Sequence, residues 1–206
     1  MSAIDSEPLV GWRLWKVKQG GELSSWVVEH VWEPGENKAV CLANRLYRCP
    51  EAPGRSCRCG FWALYSPLAA IRLASATPAA GAVIGLVAAF GTVAVHGSEG
   101  FRAEMARVSC LFTDEIALVP VERLWRSVRR RIHRATHTSS NDPIPSRIGA
   151  LRPVASRYGV PLVSLQSAVS LGLLGELGVK QEAIAELQEW LTPSRTRWRG
   201  GRAELA

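Results

Sequence analysis

Residues 8–18 (PLVGWRLWKVK) alternate as a strand does, with Val10, Trp12 and Leu14 facing one way and Arg13, Trp15 and Val17 the other. Gln19-Gly20-Gly21-Glu22 then predicts a turn. A second β-branched and aromatic run follows at 23–32 (LSSWVVEHVW), closed by Pro34-Gly35, so a meander of short strands leads toward residue 40. Residues 76–96 (ATPAAGAVIGLVAAFGTVAVH) carry no charge and are long enough for a transmembrane helix. Their small and β-branched residues, Gly81, Gly85 and Gly91, and the lack of a flanking Lys/Arg cluster predict instead two buried strands or one long bent strand. The GSEG turn at 97–100 folds that strand onto 101–108 as a hairpin.

After Thr113-Asp114 the period changes to that of a helix. Pro120 suits a first turn, and Val121, Leu124, Trp125, Val128 and Ile132 share one face of a helix over 120–136. Residues 138–147 (TSSNDPIPSR) have the composition of a linker. Short helices are expected at 147–157, stopped by Gly159 and Pro161, at 164–177 with Ser164 as cap, and at 180–191. A basic tail follows from 193. The predicted fold is α+β: an antiparallel, Trp-rich β domain over 1–113, a basic helix over 114–137, a linker, packing helices over 148–192 and the tail over 193–206.

With 47% hydrophobic residues in 206, the chain can bury a full core. Trp12, Trp15, Trp26, Trp32 and Trp62, five of its eight tryptophans, lie before residue 63 and suit the core of that β domain; exposed, they would suit base stacking. Lys and Arg outnumber Asp and Glu by 25 to 18, a net charge of +7, which favours acidic partners. The charge is densest on the polar face of the 120–136 helix, where Arg123, Arg126, Arg129, Arg130, Arg131 and Arg134 oppose Glu122 alone. Such a face is simply solvated, contacts a phosphate backbone, or meets an acidic protein surface.

Candidate chemistry lies between Cys41 and Trp62, where Cys41, Cys49, Cys57 and Cys59 are spaced C-x7-C-x7-C-x-C. In an extended segment the sulfurs of Cys57 and Cys59 fall on one side, and Gly60 permits a tight turn behind them. Four thiolates satisfy a tetrahedral zinc ion and leave no open position, which defines a structural rather than a catalytic site. His30 is the candidate substitute for one of them. Disulfides and unrelated free thiols are the alternatives, but the first ten residues, MSAIDSEPLV, lack the apolar stretch of a signal peptide, so a cytoplasmic protein is expected. Cys110, in VSCLF, reads as a buried thiol.

The segments GWRLWKVK, CRCGFWA at 57–63 and GTVAVHGSEGFRAE at 91–104 resemble an uncharacterised family of small actinobacterial proteins. That family opens G-[YW]-R-x-W and carries C-x-C-G-[IF]-[YW]-A and W-G-x-V-x-x-H-x-x-G-[YFW]-R-A-E elements. The resemblance covers the first half of the chain and implies a shared fold, with no activity attached. It also implies that Cys41 and the C-x-C pair belong to one site. The family places a histidine a few residues before its C-x-C, where this chain has Cys49.

No P-loop, nucleophile elbow, H-E-x-x-H or dinucleotide-binding glycine turn is present. An acid–base cluster is confined to His96, Glu99 and Glu104, where Arg102 and Glu104, two apart, are expected to pair across a strand face. The reading is a non-enzymatic interaction protein with structural zinc, contacting nucleic acid through the arginine face. A protein-binding adaptor and an enzyme centred on His96 and Glu99 are the alternatives.

Overall fold

The computed structural model describes residues 7–43, 48–76, 82–114 and 147–192. The arginine helix, most of the linker and the basic tail lie outside the described residues. Among the described residues seven strands form one mostly antiparallel sheet: β1 (Leu9–Val17), β2 (Leu23–Ser25), β3 (Asn37–Lys38), β4 (Phe61–Leu64), β5 (Ala82–His96), β6 (Gly100–Phe112) and β7 (Leu162–Val163). The helices are α1 (Pro67–Ala76), α2 (Arg147–Tyr158), α3 (Leu165–Ser170), α4 (Leu173–Glu176) and α5 (Gln181–Leu191). The architecture is therefore α+β with C-terminal helices, as the sequence predicts.

From Ala82 to His96 the uncharged run is one long strand. From Ala82 to Ala89 every residue of β5 is buried, because β1 pairs along one edge, from Leu9↔Ala89 to Lys16↔Ala82, and β6 along the other. Both of its faces are also covered, which is why the run is apolar without alternating. No helix among the described residues is long and apolar enough to cross a membrane. The hairpin with β6 runs from Gly85↔Leu111 to His96↔Gly100, with register shifts between Leu86 and Val87 and between Phe90 and Val93, so the strand is bent as predicted. β4 pairs with both β6 and β1, so β1, β5, β6 and β4 form a closed circuit of pairings.

The alternation of β1 sorts its side chains as expected. Trp15 joins Leu23, Trp32, Phe61 and Phe101 on one face, covered by Leu151, Val154, Ala155 and Tyr158 of α2. Val10, Trp12 and Leu14 lie on the other with Leu86, Cys110 and Phe112, covered by α1 and by Leu165, Leu174, Ile184 and Leu187 of the last three helices. Trp12, Trp15 and Trp32 are fully buried, which makes them core rather than stacking platform.

Gly85 sits where β5 and β6 approach closely. A Cβ there would lie 2.2 Å from the Cys110 carbonyl oxygen and 3.0 Å from both the Trp15 ring and Leu111 Cδ2. Gly85→Ala is expected to lower stability by about 1 to 3 kcal/mol through forced displacement of β6. A urea titration measures it, and an unchanged midpoint would show that the strands yield freely.

Several elements differ from expectation. The strand predicted over 23–32 is only Leu23–Ser25, after which the chain doubles back so that Ser25 N–H donates to His30 O and Trp32 N–H to Leu23 O. Its β-branched residues were misleading, because β1 turns to β4 for its next partner and leaves Val27 fully outside, 90% exposed. The helix predicted over 164–177 breaks at Gly172 (φ +69°) into α3 and α4, although Ser164 caps it as expected, accepting from Ser167 N–H at 3.0 Å. Helix α1 was not predicted.

Candidate metal centre

The loop joining β3 to β4 carries the four cysteines. Both strands pair with β6, β3 at Met105 and Ala106 and β4 from Gly100 to Ala103, so the loop starts and ends on neighbouring positions of one strand. Its two ends therefore bring Cys41 and the Cys57/Cys59 pair together. The Sγ atoms of Cys41, Cys49, Cys57 and Cys59 all lie within 4.8 Å of one another. Those of Cys41 and Cys57 are 3.7 Å apart. A tetrahedron with Zn–S near 2.3 Å has edges of about 3.8 Å, whereas a disulfide would bring sulfurs to about 2.05 Å. All five cysteines stand as free thiols.

Glycines let the thiols converge. A Cβ on Gly54 would fall 2.3 Å from Cys49 Sγ, so only glycine leaves room for that sulfur. Its N–H donates to Cys59 Sγ at 3.2 Å, a bond suited to a thiolate. Gly60 takes the positive φ that the sequence predicts, +113°, and turns the chain from the cysteines into β4.

The thiols differ in proton affinity. Backbone N–H groups directed at Cys41, from Cys49 first and Ala43 next, pull its pKa down to about 6. Burial, followed by the neighbouring thiols, pushes Cys49 up to about 12, and burial raises Cys59. One sulfur is thus favoured as a thiolate, while burial favours the protonated form of two others. Cys110 lies apart, fully buried on the opposite face of the sheet and raised to about 12 by burial, as expected of a core thiol.

Two arginines fix the loop main chain, a role the sequence reading missed. Arg102 is buried and donates from Nη1 to the carbonyls of Cys57 and Cys59, the latter at 3.0 Å. Its Nε donates to His96 Nε2 at 2.6 Å, and its guanidinium lies 5.4 Å from the centre of the Trp62 ring, on which His96 stacks at 4.6 Å. Arg48 Nε donates to the Cys41 carbonyl at 2.8 Å. The expected pairing of Arg102 with Glu104 does not form, because the cysteine loop takes Arg102. Glu104 instead accepts from Thr92 N–H at 3.2 Å and pairs with Lys38 at 3.5 Å.

His96 therefore accepts a hydrogen bond from Arg102. His30 is not part of the sulfur cluster; its ring packs against Phe61 and Trp32, and burial lowers its pKa.

Fold and site together define a class: a mixed α+β protein whose mostly antiparallel sheet carries four cysteines placed to hold a metal ion. The chain matches no family model, no curated protein and no solved structure.

Proposed function

We propose that Cys41, Cys49, Cys57 and Cys59 hold one structural zinc ion, and that the protein is a non-enzymatic, cytoplasmic interaction module. The sulfur cluster carries this reading, since four soft donors within 4.8 Å of one another suit zinc and would leave no position for a substrate. The ion would supply a cross-link that the loop's own side chains do not. The motifs around Trp12, Cys57 and His96 support a fold shared with the uncharacterised actinobacterial family they resemble.

Nucleic acid is the proposed partner, met by Arg123, Arg126, Arg129, Arg130, Arg131 and Arg134. Support comes from sequence: a net charge of +7 and six arginines against one acid over residues 120–136, outside the described residues. Phosphate contacts release counterions, so affinity should fall with salt by about 0.7 to 0.9 log units per contact per decade. Replacing Arg126, Arg130 and Arg134 together should shallow that slope and weaken all sequences alike. Filter binding at two salt concentrations tests it. Undetectable binding at low salt removes nucleic acid, and capture of one acidic protein that the same substitutions abolish favours the adaptor reading.

A further inference from the structure

Trp12, Trp15 and Trp32 are core, which leaves two of the tryptophans before residue 63 unaccounted for. Trp26 follows β2, and Trp62 stands in β4 on the opposite side of that strand from Phe61. The two converge: both line one cavity of about 220 Å³. Its wall also includes Trp12, Leu14, Leu64 and Leu73, on the side of the sheet that α1 covers.

Trp62 is pinned rather than loose. Its Nε1–H donates to the Arg58 carbonyl at 2.9 Å, and His96 stacks on it with ring centres 4.6 Å apart and planes 24° from parallel. His96 takes one face of the indole, yet the residue keeps 36% of its surface in solvent. A flat aromatic already held still at an opening loses little freedom when another ring stacks on it. Val27, Val28 and Leu73 are exposed around the same opening, so the wall is apolar out to its rim. The volume lies below the usual range for a drug-sized ligand, which suits a single ring system.

Charge decides which ring. The wall holds no acidic residue, and Glu29, beside Val28, is the one acid next to a wall residue in sequence. Lys16 is exposed, shares a side of β1 with Trp12 and Leu14, and holds its Nζ 5.3 Å from the centre of the Trp26 ring. Arg58, whose carbonyl fixes Trp62, and Arg72, next to Leu73, are exposed too. None of these three cations makes an ion pair among the described residues. An apolar slot with tryptophan walls and unspent cations at its margin fits a ring that carries a phosphate, which is the chemistry of an unpaired nucleobase in a strand. An apolar protein side chain would fill the slot and leave those cations unmatched.

We propose that this cavity takes one unpaired base of a single-stranded nucleic acid, stacked against Trp62 and Trp26, with the neighbouring phosphate on Lys16. The class of partner rests on the nucleic-acid reading above, but the base site does not need the arginine face.

A short oligothymidylate and an abasic strand of the same length, which carries the same phosphates and no bases, test the proposal on the full chain by fluorescence anisotropy at two salt concentrations. The thymidylate should bind tighter by about tenfold or more. Trp62→Leu and Trp26→Leu should each remove most of that preference and leave the abasic strand unchanged, while the circular-dichroism spectrum holds. Should neither variant fold, the wild type decides: a strand carrying 5-iodouracil, irradiated in the complex, should cross-link to Trp62 or Trp26, and cross-links confined to other residues overturn the base site. Replacing Arg126, Arg130 and Arg134 together should weaken both strands and keep the preference. Equal binding of the two strands to the wild type overturns the base site and leaves the phosphate reading standing, as does a preference that neither tryptophan substitution moves. A tryptophan-dependent preference with a salt slope that the arginine substitutions leave unchanged keeps the base site and overturns the arginine face. No binding of either strand at low salt overturns both.

Discussion

Chelation of zinc from the purified protein is expected to unfold the loop between β3 and β4 and to loosen the sheet edge on which it rests. Between Val40 and Gly60 only Cys41 and Ala52 are buried among the described residues, so the loop has almost no core of its own. Structural zinc in small domains contributes on the order of 10 kcal/mol of apparent binding free energy, all of it realised on folding. About one zinc per chain is expected, and Cys57→Ser or Cys59→Ser should each lose it with a large drop in melting temperature. Cys110→Ala, on the far face, should keep it. The pH dependence has a definite sign: zinc binds thiolates, and the Cys49 thiol, pushed up to about 12, would have to give up its proton on binding. Affinity should therefore fall as pH falls, with protons released on binding. Elemental analysis and a melting curve check this. Metal-free protein with four free thiols and an unchanged melting curve would sink the zinc reading.

Where the sequence predicted well, local chemistry and tertiary context agreed. β1 alternates because its two faces meet different covers, and Ser164, Gly159 and Pro161 act as cap and stop wherever they are placed. The buried strand was legible from its glycines and β-branched residues, although its lack of charge imitates a membrane span. The C-x-C pair and Gly60 were legible because they carry their own geometry; Cys41 could be joined to them by composition and resemblance, and Cys49 by composition alone, since the family the chain resembles has a histidine near that place. The arginines that clamp the loop were not legible. Arg102 and Glu104 sit two apart on one strand, and only the pairing of β4 with β6 brings Cys57 and Cys59 carbonyls within reach of the former. Helix α1 had a signal that went unread: Ser66 before Pro67 is a cap followed by a first-turn proline, and Ser66 Oγ accepts from Ala69 N–H at 3.0 Å. The two-residue strand β7 had none, because it exists only through its parallel pairing with Leu111 and Phe112.

Tyr158→Phe should destabilise the protein far more than the loss of one oxygen suggests. The hydroxyl, at the end of α2, accepts from Leu23 N–H at 2.9 Å and donates to the Trp32 carbonyl at 2.6 Å. It therefore joins the C-terminal helix to both sides of the turn that β2 opens, in the core that Trp15, Trp32 and Phe61 share. Phenylalanine fills the same volume but leaves a buried donor and a buried acceptor unpaired, each worth about 1 to 3 kcal/mol, so a loss of about 2 to 4 kcal/mol is expected. For a chain of this size that is roughly 5 to 15 °C in melting temperature. The adjacent Arg157→Ala is the control. Its ion pair with Glu22, at 3.4 Å, has both side chains well exposed and should change stability by about 0.5 kcal/mol or less. Hydrogen exchange adds a local readout, since the Leu23 amide should lose protection in Tyr158→Phe and keep it in Arg157→Ala. Equal stability of the two variants, with Leu23 protected in both, would mean that the C-terminal helix is held by apolar packing alone.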